Sequence, residues 1–516
     1  MRGDPVSTDP NTAPPRATPR SWVALGLLTM PVLLMSIDLT VLAVAVPELS
    51  EDLAPSASQL LWIVDIYGIF LAGLLILMGS LGDRIGRRRL LLIGSLLFGA
   101  ASAIAAFSTS PEMLIVARAL LGIGGATLMP STLSLIRNIF ADPDQRRRAI
   151  SVWAAAFAGG AGLGPVVGGA ILEHFEWGAV FLINVPLMIV LLIAGPFLLP
   201  ESKDSRPGRF DLASAALLIV SVLAFVYGLK HAAEYEWGWS AIAFLAVGIA
   251  GGAWFTFRQR RLANPLVDVT LFRSLPFSVA VLANIAGVFA LVTLLYFFPQ
   301  YIQLVLEKTP LQAGLWALPI AFGAILGAIL APILARKIPI GWLIGVGLFV
   351  AAAGYAVLAG LGVDEMMALA FTGGALIGGG VGLADTLTND VIIATAPPNR
   401  AAAAAGISET AYELGGAMGI AILGSFGTSI YRDRVDSSSA GLPEEAVDAA
   451  KETLGGAHMV AGELPGEAAG GFIAMVNDAF TTAMTDTFIV GSAILAVTAI
   501  TAVLVLRTRR ARKDAP

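Results

Sequence analysis

The stretch Gly406-Ile-Ser-Glu-Thr-Ala-Tyr-Glu-Leu-Gly-Gly-Ala-Met-Gly-Ile-Ala-Ile-Leu-Gly424 lies inside an apolar run from Ala401 to Ile430. A run of that length crosses a bilayer as a helix. It nevertheless carries Glu409 and Glu413, one helical turn apart and so on one face. A carboxylate in hydrocarbon costs roughly 3 kcal/mol even on the lenient insertion scale. Both acids must therefore point into protein or a wet cavity. One reading is a structural hydrogen bond to a neighbouring helix. The sharper reading is a site for protons or a cationic substrate, and the rest of the chain favours it.

Outward from this stretch, apolar runs of spanning length recur near 22–47, 58–81, 89–109, 111–139, 148–173, 177–199, 210–230, 238–258, 276–306, 310–335, 341–362, 365–396, 400–431 and 480–507. Of the 516 residues 57% are hydrophobic and only 13% charged, far too apolar for a soluble chain of this size. The expected fold class is an all-α polytopic membrane protein with 14 transmembrane helices. The first run is too long for a signal-peptide core and reads as an uncleaved span. Residues 1–21, rich in Pro, Thr and Arg, read as a disordered tail, and 508–516 as a basic one.

The basic residues orient the chain. With the N-terminus in the cytoplasm, nearly all of the 32 Lys and Arg fall on that side. Only Lys230, Lys308, Arg432, Arg434 and Lys451 fall outside, and Arg118 alone lies within a span. An even helix count returns the C-terminus to the cytoplasm of a cell-membrane protein. The long outward loop, 432–479, is acidic, with helical patterns at Pro443–Leu454 and Gly466–Thr482 that suggest a hairpin over the outer face.

Composition also excludes functions. Without cysteine there is no disulfide or thiolate metal site, and no metal constellation or catalytic triad is visible. His174, His231 and His458 all fall in expected loops. No G-x-x-x-x-G-K-[ST] loop exists to cradle ATP phosphates. The reading is therefore a non-enzyme that needs no cofactor and binds no nucleic acid, with an ion gradient as its energy source.

Two motifs read as moving parts. The loop after the second span is Gly79-Ser-Leu-Gly-Asp-Arg-Ile-Gly-Arg-Arg-Arg89. In it Gly79 and Gly86 permit a close turn, while Asp83 can pair with Arg84, Arg87 or Arg88 across the helix ends as a gating latch. A weaker echo, Ala335-Arg-Lys-Ile-Pro-Ile-Gly341, suggests an internal repeat. In the fifth span Gly160, Gly164, Gly168 and Gly169 permit close helix packing, and Pro165 removes a backbone donor and bends the helix.

These motifs, with Arg118 in span four, resemble the major facilitator superfamily, in particular its fourteen-helix drug:proton antiporter branch. Asp38-Leu-Thr-Val-Leu-Ala-Val-Ala-Val-Pro47 is similar to that branch's first-helix signature, departing at Ala43, where an Asn is usual. Trp62-Ile-Val-Asp65-Ile-Tyr67 and Ser408-Glu-Thr-Ala-Tyr-Glu413 resemble the quaternary-ammonium and dye exporters. The resemblance implies six-helix bundles at 22–199 and 276–507, two inserted helices at 210–258, and a translocation path between the bundles. It also implies proton-coupled export of lipophilic cations (quaternary ammonium compounds, ethidium-like dyes, fluoroquinolones as a further class) by a monomer in contact with lipid and protons.

Depth along the helices is an independent check. At 1.5 Å per residue Asp38 lies about 13 Å below the outer end of its span, and Asp65 and Arg118 about 10 Å below theirs. The three can meet, with one carboxylate paired to Arg118 and the other free for a proton or cation. Glu409 and Glu413 lie near midplane in the opposite bundle. Asp385 is a further candidate, whereas Asp390 lies closer to the cytoplasm and reads as solvated. Trp62, Tyr67, Tyr296, Phe297, Tyr301 and Tyr412 lie at depths where a flat cation could stack on them. The rival reading is an exporter of a neutral or anionic metabolite. An anion would want intramembrane Lys or Arg, and on this reading only Arg118 offers one.

Overall fold

The computed structural model describes residues 16–203, 211–235, 238–262, 265–397, 400–438, 443–462, 464 and 466–506. Of the tails expected at 1–21 and 508–516, residues 1–15 and 508–516 lie outside them, while Pro19–Ser21 are not disordered but already belong to the first helix. Fourteen of its helices are long and apolar enough to cross a membrane. They are α1 (Pro19–Leu53), α2 (Ala57–Ile85), α3 (Arg87–Ala106), α4 (Pro111–Ile139), α5 (Pro143–Leu172), α6 (Ala179–Leu198), α7 (Leu212–Ala232), α8 (Trp239–Arg261), α9 (Leu275–Val305), α10 (Pro310–Leu334), α11 (Ile340–Leu358), α12 (Met367–Thr395), α13 (Ala403–Ser438) and α14 (Ala468–Leu506). In hydrocarbon every backbone polar group must be satisfied within the segment, so apolar runs of this length become helices. Local chemistry sets several starts. Ser56 with Gln59 and Thr309 with Gln312 form capping boxes before α2 and α10. Ser110 and Asp142 cap α4 and α5, each just ahead of a proline at the first helical position.

The buried apolar side chains form two large cores. One draws chiefly on α1–α6 and the other on α9–α14. A third, small cluster joins Ile69 of α2, Val226 of α7, and Ala417 and Ala421 of α13. Thus α7 lies along the seam where the two bundles meet. A Cβ on Gly73 of α2 would stand 2.4 Å from Ile219 of α7, so that approach requires glycine. The partner helix α8 packs on α7 and is the least buried of the fourteen.

At the end of the molecule opposite Pro19 and Leu506 the bundles are tied together. Gln303 Nε2 donates to the Val44 carbonyl at 2.9 Å, Thr309 Oγ1 to Glu173 Oε1 at 2.6 Å, and the Ala57 amide to Glu452 Oε2 at 2.8 Å. Glu452 belongs to the long loop after α13. That loop forms two short helices, Glu444–Glu452 and Leu454–Ala461. The second was not anticipated, and the expected separate helix at Gly466–Thr482 is instead the first half of one continuous helix, Gly466–Leu506. Some of the loop's charge is answered locally, by Lys451 on Asp436 and by Arg432 at 3.6 Å from Glu452. Of the histidines, His174 lies in a turn, but His231 and His458 lie in helices, hydrogen-bonded to Ser240 and Asn477.

At the end that holds Pro19 and Leu506 the latch motif closes within the first bundle. Asp83 pairs with Arg87 at 2.7 Å across the α2–α3 junction, and Glu201, after α6, accepts from the Arg88 amide at 3.1 Å. Gly86 has φ +110°, and a Cβ there would stand 2.5 Å from Glu201 Oε1, so the turn needs glycine twice over. The echo in the second half is built differently. Its Gly341 has an ordinary helical setting in α11, pressed on Leu506 of α14.

Candidate functional site

A cavity of about 310 Å³ lies between the two bundles. From the first bundle it is lined by Asp65, Tyr67, Arg118 and Phe157, and from the second by Tyr296, Asp385, Tyr412 and Glu413. Its walls are set by close helix approaches. A Cβ on Gly164 of α5 would lie 1.9 Å from Thr40 Oγ1 of α1, and one on Gly169 would lie 2.4 Å from the Pro310 carbonyl of α10. Gly160 and Gly168 face α1 in the same way, so α5 runs between α1 on one side and α10 on the other. It continues as helix through Pro165, whose carbonyl meets Gly314 of α10.

The acids of the first bundle are both answered by built-in cations. Arg118 Nη1 donates to Asp38 Oδ2 at 2.6 Å, with both side chains out of reach of solvent. Arg118 Nε donates to the Ile63 carbonyl at 3.1 Å, and its guanidinium lies 4.7 Å from the Tyr67 ring centroid. Asn184 Nδ2 stands 3.4 Å from the other Asp38 oxygen. So Asp38 is the carboxylate that pairs with Arg118.

Asp65 is not the free acid expected. Lys230 Nζ lies 2.8 Å from its Oδ2, with both side chains fully buried, and 3.8 Å from the Trp62 ring centroid. Lys230 was expected outside the membrane, and Arg118 was expected to be the only intramembrane cation; both expectations are corrected. The helix containing α7 continues to Tyr235, which puts Lys230 more than a turn inside it. The hydropathy run ends at the lysine because of its charge, and the helix does not. The signal available was the run of helix-favouring residues that follows, Ala232-Ala-Glu-Tyr235.

The acids of the second bundle have no such partner. Among the described residues no basic side chain forms an ion pair with Asp385, Glu409 or Glu413. Asp385 accepts a short hydrogen bond from Asn284 Nδ2. Glu413 is buried, and its Oε1 has no hydrogen-bond partner. Its turn of α13 sits against α2, where a Cβ on Gly68 would stand 3.7 Å from the Glu413 carbonyl. Glu409, one turn away on the same face, is half-buried and does not line the cavity. Asp390 is exposed.

The aromatic expectations divide. Tyr67, Tyr296 and Tyr412 line the cavity, and the buried Tyr67 hydroxyl has no partner. Trp62 is engaged by Lys230 instead. Phe297 and Tyr301 do not line it. Phe297 packs among Tyr296, Phe480 and Phe488, and the Tyr301 hydroxyl donates to the Gly362 carbonyl at 2.6 Å. Helical phase turns them away, which depth alone does not reveal. Sequence reasoning also missed Phe157, which meets the Tyr412 ring edge-on at 6.3 Å, together with Asn184 and Asn284.

Residues 30–420 match the Major Facilitator Superfamily. The chain belongs to that superfamily. This superfamily member is 46% identical over 477 residues to the multidrug efflux pump LfrA of Mycolicibacterium smegmatis, covering 92% of the chain and 94% of the relative. It is 36% identical to the methyl viologen resistance protein SmvA of Salmonella typhimurium, over 86% of the chain and 90% of the relative. The fold is similar to that of a bacterial homologue of the human lysosomal transporter Spinster, itself solved in an inward-facing, unoccupied conformation, with a TM-score of 0.67 at 18% identity, covering 95% of this chain and 99% of that one. The chain is thus a multi-pass membrane transporter of the efflux kind and not an enzyme.

Proposed function

We propose that this protein is a proton-coupled antiporter that exports lipophilic cations from the cytoplasm by alternating access. The observation that carries the reading is the cluster Asp385, Glu409 and Glu413, which has no basic partner among the described residues. At roughly 3 kcal/mol for each charged carboxylate in hydrocarbon, such groups call for a proton, water or a cation. An organic cation and protons then compete for the same oxygens, and that competition alone couples their fluxes. Tyr296 and Tyr412 line the cavity as aromatic partners for the cation. Lipophilic cations such as quaternary ammonium compounds and ethidium-like dyes fit this lining, and the relatives named for multidrug efflux and methyl viologen resistance support the class. An anionic cargo is disfavoured, because Arg118 and Lys230 are both already committed to carboxylates.

The basic residues put both termini in the cytoplasm of a plasma-membrane protein. On that orientation the ties at the end opposite the termini close the outer face, and the cavity serves an inward-facing state. Protons drive the cycle without a cofactor, and one chain holds the whole site. In everted membrane vesicles acidified inside, ethidium should release protons at a rate that falls in Glu413→Gln. Absence of drug-induced alkalinisation with any cation would refute the reading.

A further inference from the structure

The inserted pair α7–α8 brings a charge to a residue of the cavity wall, Asp65. Lys230 reaches from α7 on the seam and places its ammonium between the Asp65 carboxylate and the Trp62 ring. A carboxylate beside an aromatic face is the chemistry that recognises an organic ammonium group. Asp65 is itself one of the residues that line the cavity, so the lysine is paired with a carboxylate buried directly at the cavity wall. The contact is close but not locked. Neither Asp65 oxygen nor the ammonium has an aligned hydrogen bond among the described residues. That differs from Asp38, which Arg118 and Asn184 hold with directed hydrogen bonds.

We infer that Asp65 and Trp62 form a second cation subsite whose resident occupant is Lys230, so that this lysine of the inserted helix determines how readily the cavity accepts a dication. A monocation is served by the acids of the second bundle and leaves Lys230 in place. A dication needs both subsites and must displace the lysine. The inference rests on the cation-efflux reading above and adds a specificity determinant to it. It also gives the inserted helix a role, since its place on the α2–α13 seam brings Lys230 to Asp65.

The test compares binding of ethidium, a monocation, and methyl viologen, a dication, to the purified full-length protein. Lys230→Met keeps the apolar stem that packs on the seam and removes the charge. It should tighten methyl viologen binding by about tenfold and ethidium binding by less than threefold, a ratio set by freeing one buried charge partner. Lys230→Arg should show no such gain, and adding Asp65→Asn to Lys230→Met should abolish it. Unchanged methyl viologen affinity in a Lys230→Met protein that still binds ethidium would overturn this inference alone. A wild-type protein that binds neither cation would overturn the efflux reading and this inference with it. Should Lys230→Met fail to fold, amine-reactive labelling of the wild type gives the second readout. Lys230 should stay unlabelled with ethidium bound and become labelled at saturating methyl viologen. Equal labelling with both, or with neither, would contradict the displacement.

Discussion

The two bundles treat buried acid in opposite ways. In the first, Asp38 and Asp65 each meet a cation of the chain itself, Arg118 and Lys230. In the second, among the described residues, Asp385 has an asparagine but no cation and Glu413 has an oxygen with no hydrogen-bond partner. A buried ion pair with directed hydrogen bonds, as between Arg118 and Asp38, is settled within the protein, and breaking it leaves an uncompensated charge. An unpaired carboxylate is unsettled and responds to whatever enters. On the proposed mechanism Asp38 does positional work, Asp65 keeps its lysine until a dication displaces it, and proton exchange falls to the second bundle.

The comparison can be broken most directly at Glu413. Glu413→Gln should slow ethidium export by about a hundredfold, the equivalent of roughly 3 kcal/mol of charge interaction. The measurement is efflux rate in cells with matched protein levels. A fall of less than threefold would move the exchange site elsewhere. On the paired side, Arg118→Ala should destabilise the fold by about 3–5 kcal/mol, because Asp38 is left charged and buried. Thermal unfolding in detergent would read this, and adding Asp38→Asn should recover most of the loss. No recovery would show that Arg118 acts through Tyr67 packing or the Ile63 carbonyl rather than through Asp38.

Smaller effects sharpen the contrast between site and scaffold. Gly86→Ala puts a Cβ onto Glu201 at a positive φ and should cost about 1–3 kcal/mol of stability. Its readout is a lower melting temperature at unchanged ethidium affinity. Tyr301→Phe should cost about 1 kcal/mol through the lost bond to Gly362 and leave ethidium binding within twofold, since Tyr301 lies off the cavity. A large affinity change from Tyr301→Phe would restore it to the substrate path.

Most of the fold was legible because the membrane makes it so. Runs of spanning length have no alternative to helix, and the fourteen runs correspond to the fourteen helices. Glu409 and Glu413 were legible for the same reason, since acid in a span stands out against hydrocarbon. What failed was whatever depended on rotation and partners. Phe297 and Tyr301 have suitable depth but the wrong phase. The choice of Asp38 over Asp65 by Arg118 depends on how α1, α2 and α4 turn against one another. Lys230 was lost because a charge at the end of an apolar run looks like a boundary. Its partner sits far away in sequence, and no periodicity within α7 announces it. The short helix Leu454–Ala461 was hidden by its glycines, and it forms where a threonine cap, Thr453, sits beside packing on α1.

On this account proton exchange belongs to the acids that have no basic partner among the described residues. It is tested most directly by counting protons released when purified protein binds ethidium in weakly buffered detergent near neutral pH. Wild type should release protons on binding. Asp385→Asn/Glu409→Gln/Glu413→Gln should release none, whereas Asp65→Asn/Lys230→Met should still release them. Proton release that survives in the triple variant and vanishes in the double would contradict the account and move the exchange to the first bundle.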